Sequence, residues 1–233
     1  MTFNRDAIKS VLRPIIVSAY MSRESNSDLF RNTLDCFSCV IDASVKGISI
    51  EDWLEIERGR QVQKTLQNQI GEMHQKILGT LPGIVDLRVG GILDIRSDTL
   101  KFVAEVKNKY NTTKGNHKIA IYDDLERYLQ QCPPDYIGYY VEVLPMNGRK
   151  YNIPFTPSDN NLGQRRTINE RIRRIDGASF YELVTGDANA IRNLYHMFPS
   201  IITELLREIP GSSVGNVQLG TENFNMIFDR IFN

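Results

Sequence analysis

Cysteine is scarce in this sequence. Cys36, Cys39 and Cys132 are the only three in 233 residues, too few and too unevenly spaced for a disulfide framework, and such usage fits a reducing compartment. Histidine is equally thin. His74, His117 and His196 are scattered, and no second cysteine pair accompanies Cys36-x-x-Cys39, so that pair reads as core packing within a helical stripe and not as a zinc site. No apolar run approaches a membrane span, and the opening Met-Thr-Phe-Asn-Arg-Asp lacks the hydrophobic segment of a signal peptide; a cytoplasmic location is expected. Neither charge sign is in excess: 28 Lys and Arg balance 28 Asp and Glu, so any polyanion-binding surface must come from local clustering. Walker loops, dinucleotide fingerprints, internal repeats and low-complexity tracts are absent too.

What is present begins with helices. Ile8, Val11, Leu12 and Ile15 make a first apolar stripe, expected to bend at Pro14. Asp28 is the expected cap of a second helix carrying Phe30, Leu34, Phe37, Val40, Ile41 and Val45. Ser49-Ile-Glu-Asp52 resembles a capping box ahead of a short helix with Trp53. A longer helix follows, with Val62, Leu66, Ile70, Met73 and Ile77 on one side and Gly79 and Pro82 to stop it. The texture then changes. Residues 84–89, 92–95 and 102–106 read as strands, with Gly90-Gly91 and Ser97-Asp98-Thr99 as tight turns between them. A helix with Tyr122, Leu125, Leu129 and Cys132, ended by Pro133-Pro134, precedes a strand over 136–144. Residues 145–165 read as loop. After Thr167 to Ile175, helices are expected from Asp187 and around Phe224, Ile227, Phe228 and Ile231. The fold class is α/β, a mixed sheet flanked by helices, with helical additions at both ends. We read one domain over 1–233: N-terminal helices to residue 80, a core over 81–145, and loop and C-terminal helices over 146–233.

One short stretch stands out. Phe102-Val-Ala-Glu-Val-Lys107 is the best strand former in the chain, yet it carries an acid and an amine, and buried charge is costly unless paired or bound to metal. Period-two alternation puts Val103, Glu105 and Lys107 on one face and Phe102, Ala104 and Val106 on the other. Asp94, at the end of the preceding apolar run, can meet Glu105 across a hairpin. Two carboxylates suit a hard cation such as Mg²⁺, and Lys107 can reach a phosphate or orient a water, the parts that phosphodiester hydrolysis requires. Glu72, on the preceding helix, is a further candidate, holding metal through water. Asp86 rivals Asp94 as the first ligand, and Asp94 is preferred because its strand pairs with that of Glu105.

An acid, a spacer and Glu-x-Lys, in the order helix, three strands, helix, strand, is similar to the PD-(D/E)xK nuclease superfamily, although Leu93 stands where that pattern has proline. A longer stretch, Ala104-Glu-Val-Lys-Asn-Lys-Tyr-Asn-Thr-Thr-Lys-Gly115, resembles type II restriction endonucleases that cut GGNCC or GGWCC sites. A second block, Asp176-Gly-Ala-Ser-Phe-Tyr-Glu-Leu-Val-Thr-Gly-Asp187, resembles the same group, and the likeness covers about residues 84–200. The resemblance implies a homodimer that cuts double-stranded DNA at a short palindrome with Mg²⁺, beside a cognate DNA methyltransferase that protects the host.

The loops fit that expectation on their own chemistry. Lys109, Asn111, Thr112, Thr113, Lys114 and Asn116 follow the motif, and Arg149, Arg165 and Arg166 lie in the later loop. Lysines, hydroxyls and amides contact phosphates, while asparagine and arginine read base edges. Two other classes stay open: a repair or recombination nuclease that recognises DNA structure, and a non-catalytic DNA-binding protein on the same scaffold.

Overall fold

The structure is a computed structural model describing residues 2–24, 29–31, 33–87, 91–159, 163–212 and 221–232. Along the chain run α1 (Arg5–Glu24), α2 (Cys36–Lys46), α3 (Ile50–Leu78), β1 (Val85–Asp86), β2 (Ile95–Ser97), β3 (Phe102–Lys109), α4 (Gly115–Gln130) and β4 (Ile137–Leu144). Next come β5 (Asn152–Pro154), β6 (Ser158–Asp159), β7 (Gln164–Arg165), β8 (Ile172–Asp176), α5 (Gly177–Thr185), α6 (Ala190–Arg207) and α7 (Thr221–Phe232). Six strands form one mixed sheet in the order β1-β2-β3-β4-β8-β5, and β6 and β7 pair separately. The pairs β1-β2, β2-β3 and β5-β8 are antiparallel, whereas β3, β4 and β8 run parallel.

The alternation expected of β3 divides two cores. Phe102, Ala104 and Val106 join Tyr139, Val141 and Ile175 in the larger core, with Ile8 and Leu12 of α1, Ile77 of α3, Phe180 of α5 and Leu194 of α6. Val103 joins Tyr140, Ile172, Phe155 and the Ile121, Leu125 and Leu129 side of α4 in the smaller one. Helices therefore cover both sheet faces. Gly177 makes the close packing of α5 behind β4 possible: a Cβ there would lie 2.3 Å from the Val143 carbonyl oxygen.

Several sequence expectations need correction. Ser49 is the helix cap, its hydroxyl accepting the Asp52 amide at 3.1 Å and donating to the Asp52 carboxylate at 3.0 Å, but the short and long helices after it are one 29-residue helix. Gly59 does not break it, and Glu57–Arg60 and Glu55–Arg58 ion pairs brace that stretch. The loop over 145–165 contains the short strands β5, β6 and β7. Asp28 lies outside the described residues, as do 88–90 in the first strand and turn. The observed cap of α2 is Asp35, whose carboxylate accepts the Phe37 and Ser38 amides. The apolar side of α2 is not core either: Phe37, Val40, Ile41 and Val45 are exposed, and so is Cys36.

Candidate active site

The β2-β3 hairpin pairs Ile95 with Ala104 and Arg96 with Val103. The same register carries Asp94, one residue before Ile95, up to Glu105, one residue beyond Ala104. There the ladder becomes irregular. The Asp94 amide donates to the Ala104 carbonyl at 3.1 Å, and the Asp94 carboxylate accepts the Val106 amide at 2.7 Å. The first acid is thus bound to the main chain of the Glu-x-Lys segment. Lys107 donates to Glu105 Oε1 at 2.5 Å, on the sheet face that alternation assigns to both.

The pair is electrostatically tense. Burial pushes the Asp94 carboxyl above the usual range, against the Val106 amide and the Lys107 charge, and the charge of Asp86 adds to the rise. Burial also raises Glu105, and the neighbouring Asp94 charge raises it further while Lys107 opposes. Two half-buried carboxylates that resist joint ionisation form a donor set whose repulsion a divalent cation would relieve. Among the described residues no three His, Cys, Asp or Glu side chains gather to enclose a metal. The two carboxylates would leave other coordination positions to water and substrate oxygens, as Mg²⁺ commonly requires.

The surroundings place the remaining candidates. Asp86 sits on β1 with its carboxylate accepting Gln75 Nε2 at 2.8 Å, and the Gln75 amide also reaches the Asp94 carbonyl at 3.4 Å. Gly79 permits this approach of α3, since a Cβ there would lie 2.8 Å from the Asp86 Cβ. Glu72 stands on the α3 wall, paired with Lys76 at 2.8 Å and mostly exposed. Asp86, Asp94, Lys107, Glu72 and Gln75 all line one cleft of about 1230 Å³. It lies toward the carboxyl end of β3, and in sheets with parallel strands ligands bind at such ends.

The structure sorts the basic and amide residues by what already holds them. Lys109, at the end of β3, and Asn111, Thr112, Lys114 and Asn116 beyond it are exposed, whereas Thr113 is buried at the cleft wall. Arg149 is exposed, and Arg165, also exposed, donates to the Thr156 carbonyl at 3.2 Å. Arg166 is bound to Asp123 at 3.0 Å and Asp159 at 3.3 Å, so much of its donor capacity is committed within the fold. Sequence reasoning missed Glu142. It lies on β4 directly across from Lys107, 1% exposed, and the argument from buried charge that singled out Glu105 applies equally to Val141-Glu-Val143.

Comparisons with known proteins meet this geometry. A family model described as Eco47II restriction endonuclease matches residues 4–207, from the start of α1 to the end of α6. The chain is 41% identical over 181 residues to the type II restriction enzyme Eco47II of Escherichia coli, covering 76% of this chain and 75% of that enzyme. It is 32% identical over 192 residues to the type II restriction enzyme Sau96I of Staphylococcus aureus, covering 80% of this chain and 73% of that one. The protein is a type II restriction endonuclease, a site-specific deoxyribonuclease acting on double-stranded DNA. Enzymes of this class generally work with a divalent metal ion. Within the class, the chain belongs to the Eco47II restriction endonuclease family. The match takes in the N-terminal helices, which carried no part of the resemblance read from the sequence.

Proposed function

We propose that the protein is a Mg²⁺-dependent endonuclease of the PD-(D/E)xK superfamily that cuts both strands of a short palindromic G/C-rich site, of GGNCC or GGWCC type, as a homodimer. The observation that carries this reading is the tie between Asp94 and the Glu105-Val-Lys107 strand, made by the 2.7 Å bond from the Val106 amide. Asp94 and Glu105 would hold the cation, and Lys107 would position water or the scissile phosphate. When bound, Mg²⁺ supplies positive charge to the phosphoryl oxygens and lowers the pKa of a water. Asp86 is the alternative first ligand, although its carboxylate is already engaged by Gln75. Glu72 assists from the cleft wall.

Lys109, Lys114 and Arg149 would contact the DNA backbone, with Asn111, Thr112, Thr113, Asn116, Arg165 and Arg166 as further DNA-binding residues. A twofold-symmetric site is matched by twofold symmetry in the protein, one subunit cutting each strand. The exposed apolar side of α2 supports a protein partner, since patches of this kind mark interaction surfaces. A DNA methyltransferase of the same system would protect the host's own sites.

Incubation of the protein with phage DNA and Mg²⁺ tests the reading. Discrete fragments that vanish on chelation are expected. A smear, or cutting confined to branched or damaged DNA, would count against it and favour a structure-selective nuclease.

A further inference from the structure

We propose that Glu142 organises a second phosphate seat beside the candidate active site, in which Lys118 and Arg174 hold a backbone phosphate of the bound DNA. The inference rests on the restriction-endonuclease reading of the cleft and adds a binding site one strand away from Glu105 and Lys107. In the parallel pairing of β3 with β4, Glu105 lies across from Tyr140 and Lys107 across from Glu142. In that of β4 with β8, Arg174 lies across from Tyr140. Paired residues of neighbouring strands project to the same side, so these five side chains share one sheet face.

Glu142 is buried and faces two cations. Lys118 Nζ approaches Oε1 at 3.5 Å and Arg174 Nε approaches Oε2 at 3.7 Å, while the Tyr151 hydroxyl donates to Oε2 at 2.5 Å. Both cationic contacts are long for charge-assisted hydrogen bonds, so the carboxylate anchors the cations without consuming their donors. Aromatic rings fix them further: Arg174 stacks over Tyr151 at 4.9 Å, and Lys118 lies over Tyr140 at 5.8 Å. Asp176, buried across from Glu142 in the β4-β8 pairing, balances the second cation, so the charges of the cluster are even and what remains for a ligand is donor capacity.

The Arg174 Nε is buried without a hydrogen-bond partner, and the buried Thr113 and Tyr140 hydroxyls lie beside each other. Thr113 is only 8% exposed and lines the cleft. Lys114, at the N-cap of α4, offers no side-chain cap to the helix that carries Lys118 in its first turn. Lys118 and Arg174, partly exposed and held at 3.5 and 3.7 Å from Glu142, keep donors that an anion can take. Beside a cleft that receives DNA, that anion is a phosphate near the scissile one.

Binding of the full-length protein to a short DNA duplex, without divalent metal and over a range of KCl concentrations, tests the seat. Single-turnover cleavage with Mg²⁺ and melting temperature are measured alongside. For Lys118→Gln and Arg174→Gln, the slope of log K against log salt should shrink by about 0.9 each, the value of one phosphate contact. Lys118→Arg should restore it. Glu142→Gln should keep the slope but cleave at least tenfold more slowly, because its two cations lose their anchor. Wild-type slopes in both cation variants, with only the melting temperature lowered, would overturn the proposal and leave an internal ion network. Wild-type cleavage by Glu142→Gln would remove the organising role. If the wild-type protein itself bound DNA without salt dependence, the reading of the cleft would fail, and not the seat alone.

Discussion

The Asp94 carboxylate accepts the main-chain amide of Val106, the residue between Glu105 and Lys107, at 2.7 Å. That bond orients the acid against a strand it does not belong to. It fixes the aspartate by geometry that asparagine can imitate in part, whereas the negative charge has no such substitute. Asp94→Asn should therefore fold and bind DNA yet lose cleavage. Glu105→Gln and Lys107→Ala should do the same, each by at least about a hundredfold, the scale of removing one preorganised electrostatic group. Asp86→Asn, whose carboxylate is occupied by Gln75, should cost less than Asp94→Asn. Single-turnover rates with binding measured separately decide it; a dead Asp86→Asn beside an active Asp94→Asn would exchange their roles.

Gly177 tests the packing behind the site. A methyl group there would meet the Val143 carbonyl oxygen at 2.3 Å and the Val143 Cα at 2.8 Å, and backbone cannot rotate away as a side chain would. Gly177→Ala should cost about 1–3 kcal/mol or more by chemical denaturation. Gly59→Ala, in the exposed middle of α3 with nothing within 4 Å, should instead stabilise by about 0.5–1 kcal/mol. Equal effects at the two positions would contradict the packing described for α5.

How much of this was legible in the sequence follows from where the signals are local. Period two in Phe102 to Val106 separated the two cores correctly, and Ser49 announced the start of α3, because alternation and capping act over a few residues. The hairpin that carries Asp94 and Glu105 was readable because its turn is short, although its first strand runs Ile95–Ser97 and not 92–95, with Ser97 paired to Phe102 and not in the turn. Glu142 was not, since its significance depends on parallel pairing with β3 and on Lys118, Tyr151 and Arg174 arriving from three other segments. Arg166 looked free in a loop, yet it closes on Asp123 of α4, a partner 43 positions away. The apolar stripe of α2 read as core because periodicity reports amphipathicity and not what covers it.

His74 gives a pH prediction with a definite sign. Its ring is buried, with Nδ1 2.9 Å from the Tyr181 hydroxyl, and burial lowers its pKa to about 4. The unfolded chain takes up a proton near pH 6.5 that the native protein refuses. Stability is thus full above about pH 6.5 and falls as the pH drops toward about 4. The loss through this one group is about 3 kcal/mol. His74→Gln, which still offers Tyr181 a polar partner, should show a shallower decline over that interval. Parallel profiles of variant and wild type in urea titrations would mean that His74 is protonated in the native state.

The homodimer proposed above would meet on the exposed side of α2. Phe37, Ile41 and Val45 recur at helical spacing and are 78%, 65% and 82% exposed, with Val40 beside them. Water around such a row is released when a matching row covers it, and in a twofold pair the same helix supplies both rows. A lysine in that row desolvates at a cost that no neighbour on α2 offsets, because the Asp42 carboxylate is already held by Lys46, Arg60 and Trp53. Ile41→Lys and Val45→Lys should therefore shift sedimentation from dimer toward monomer, weakening association at least tenfold, while the melting temperature of the monomer stays the same. Cleavage of both strands should fall with the dimer and recover at high protein concentration. Dimers of unchanged strength in both variants would assign the interface to another surface.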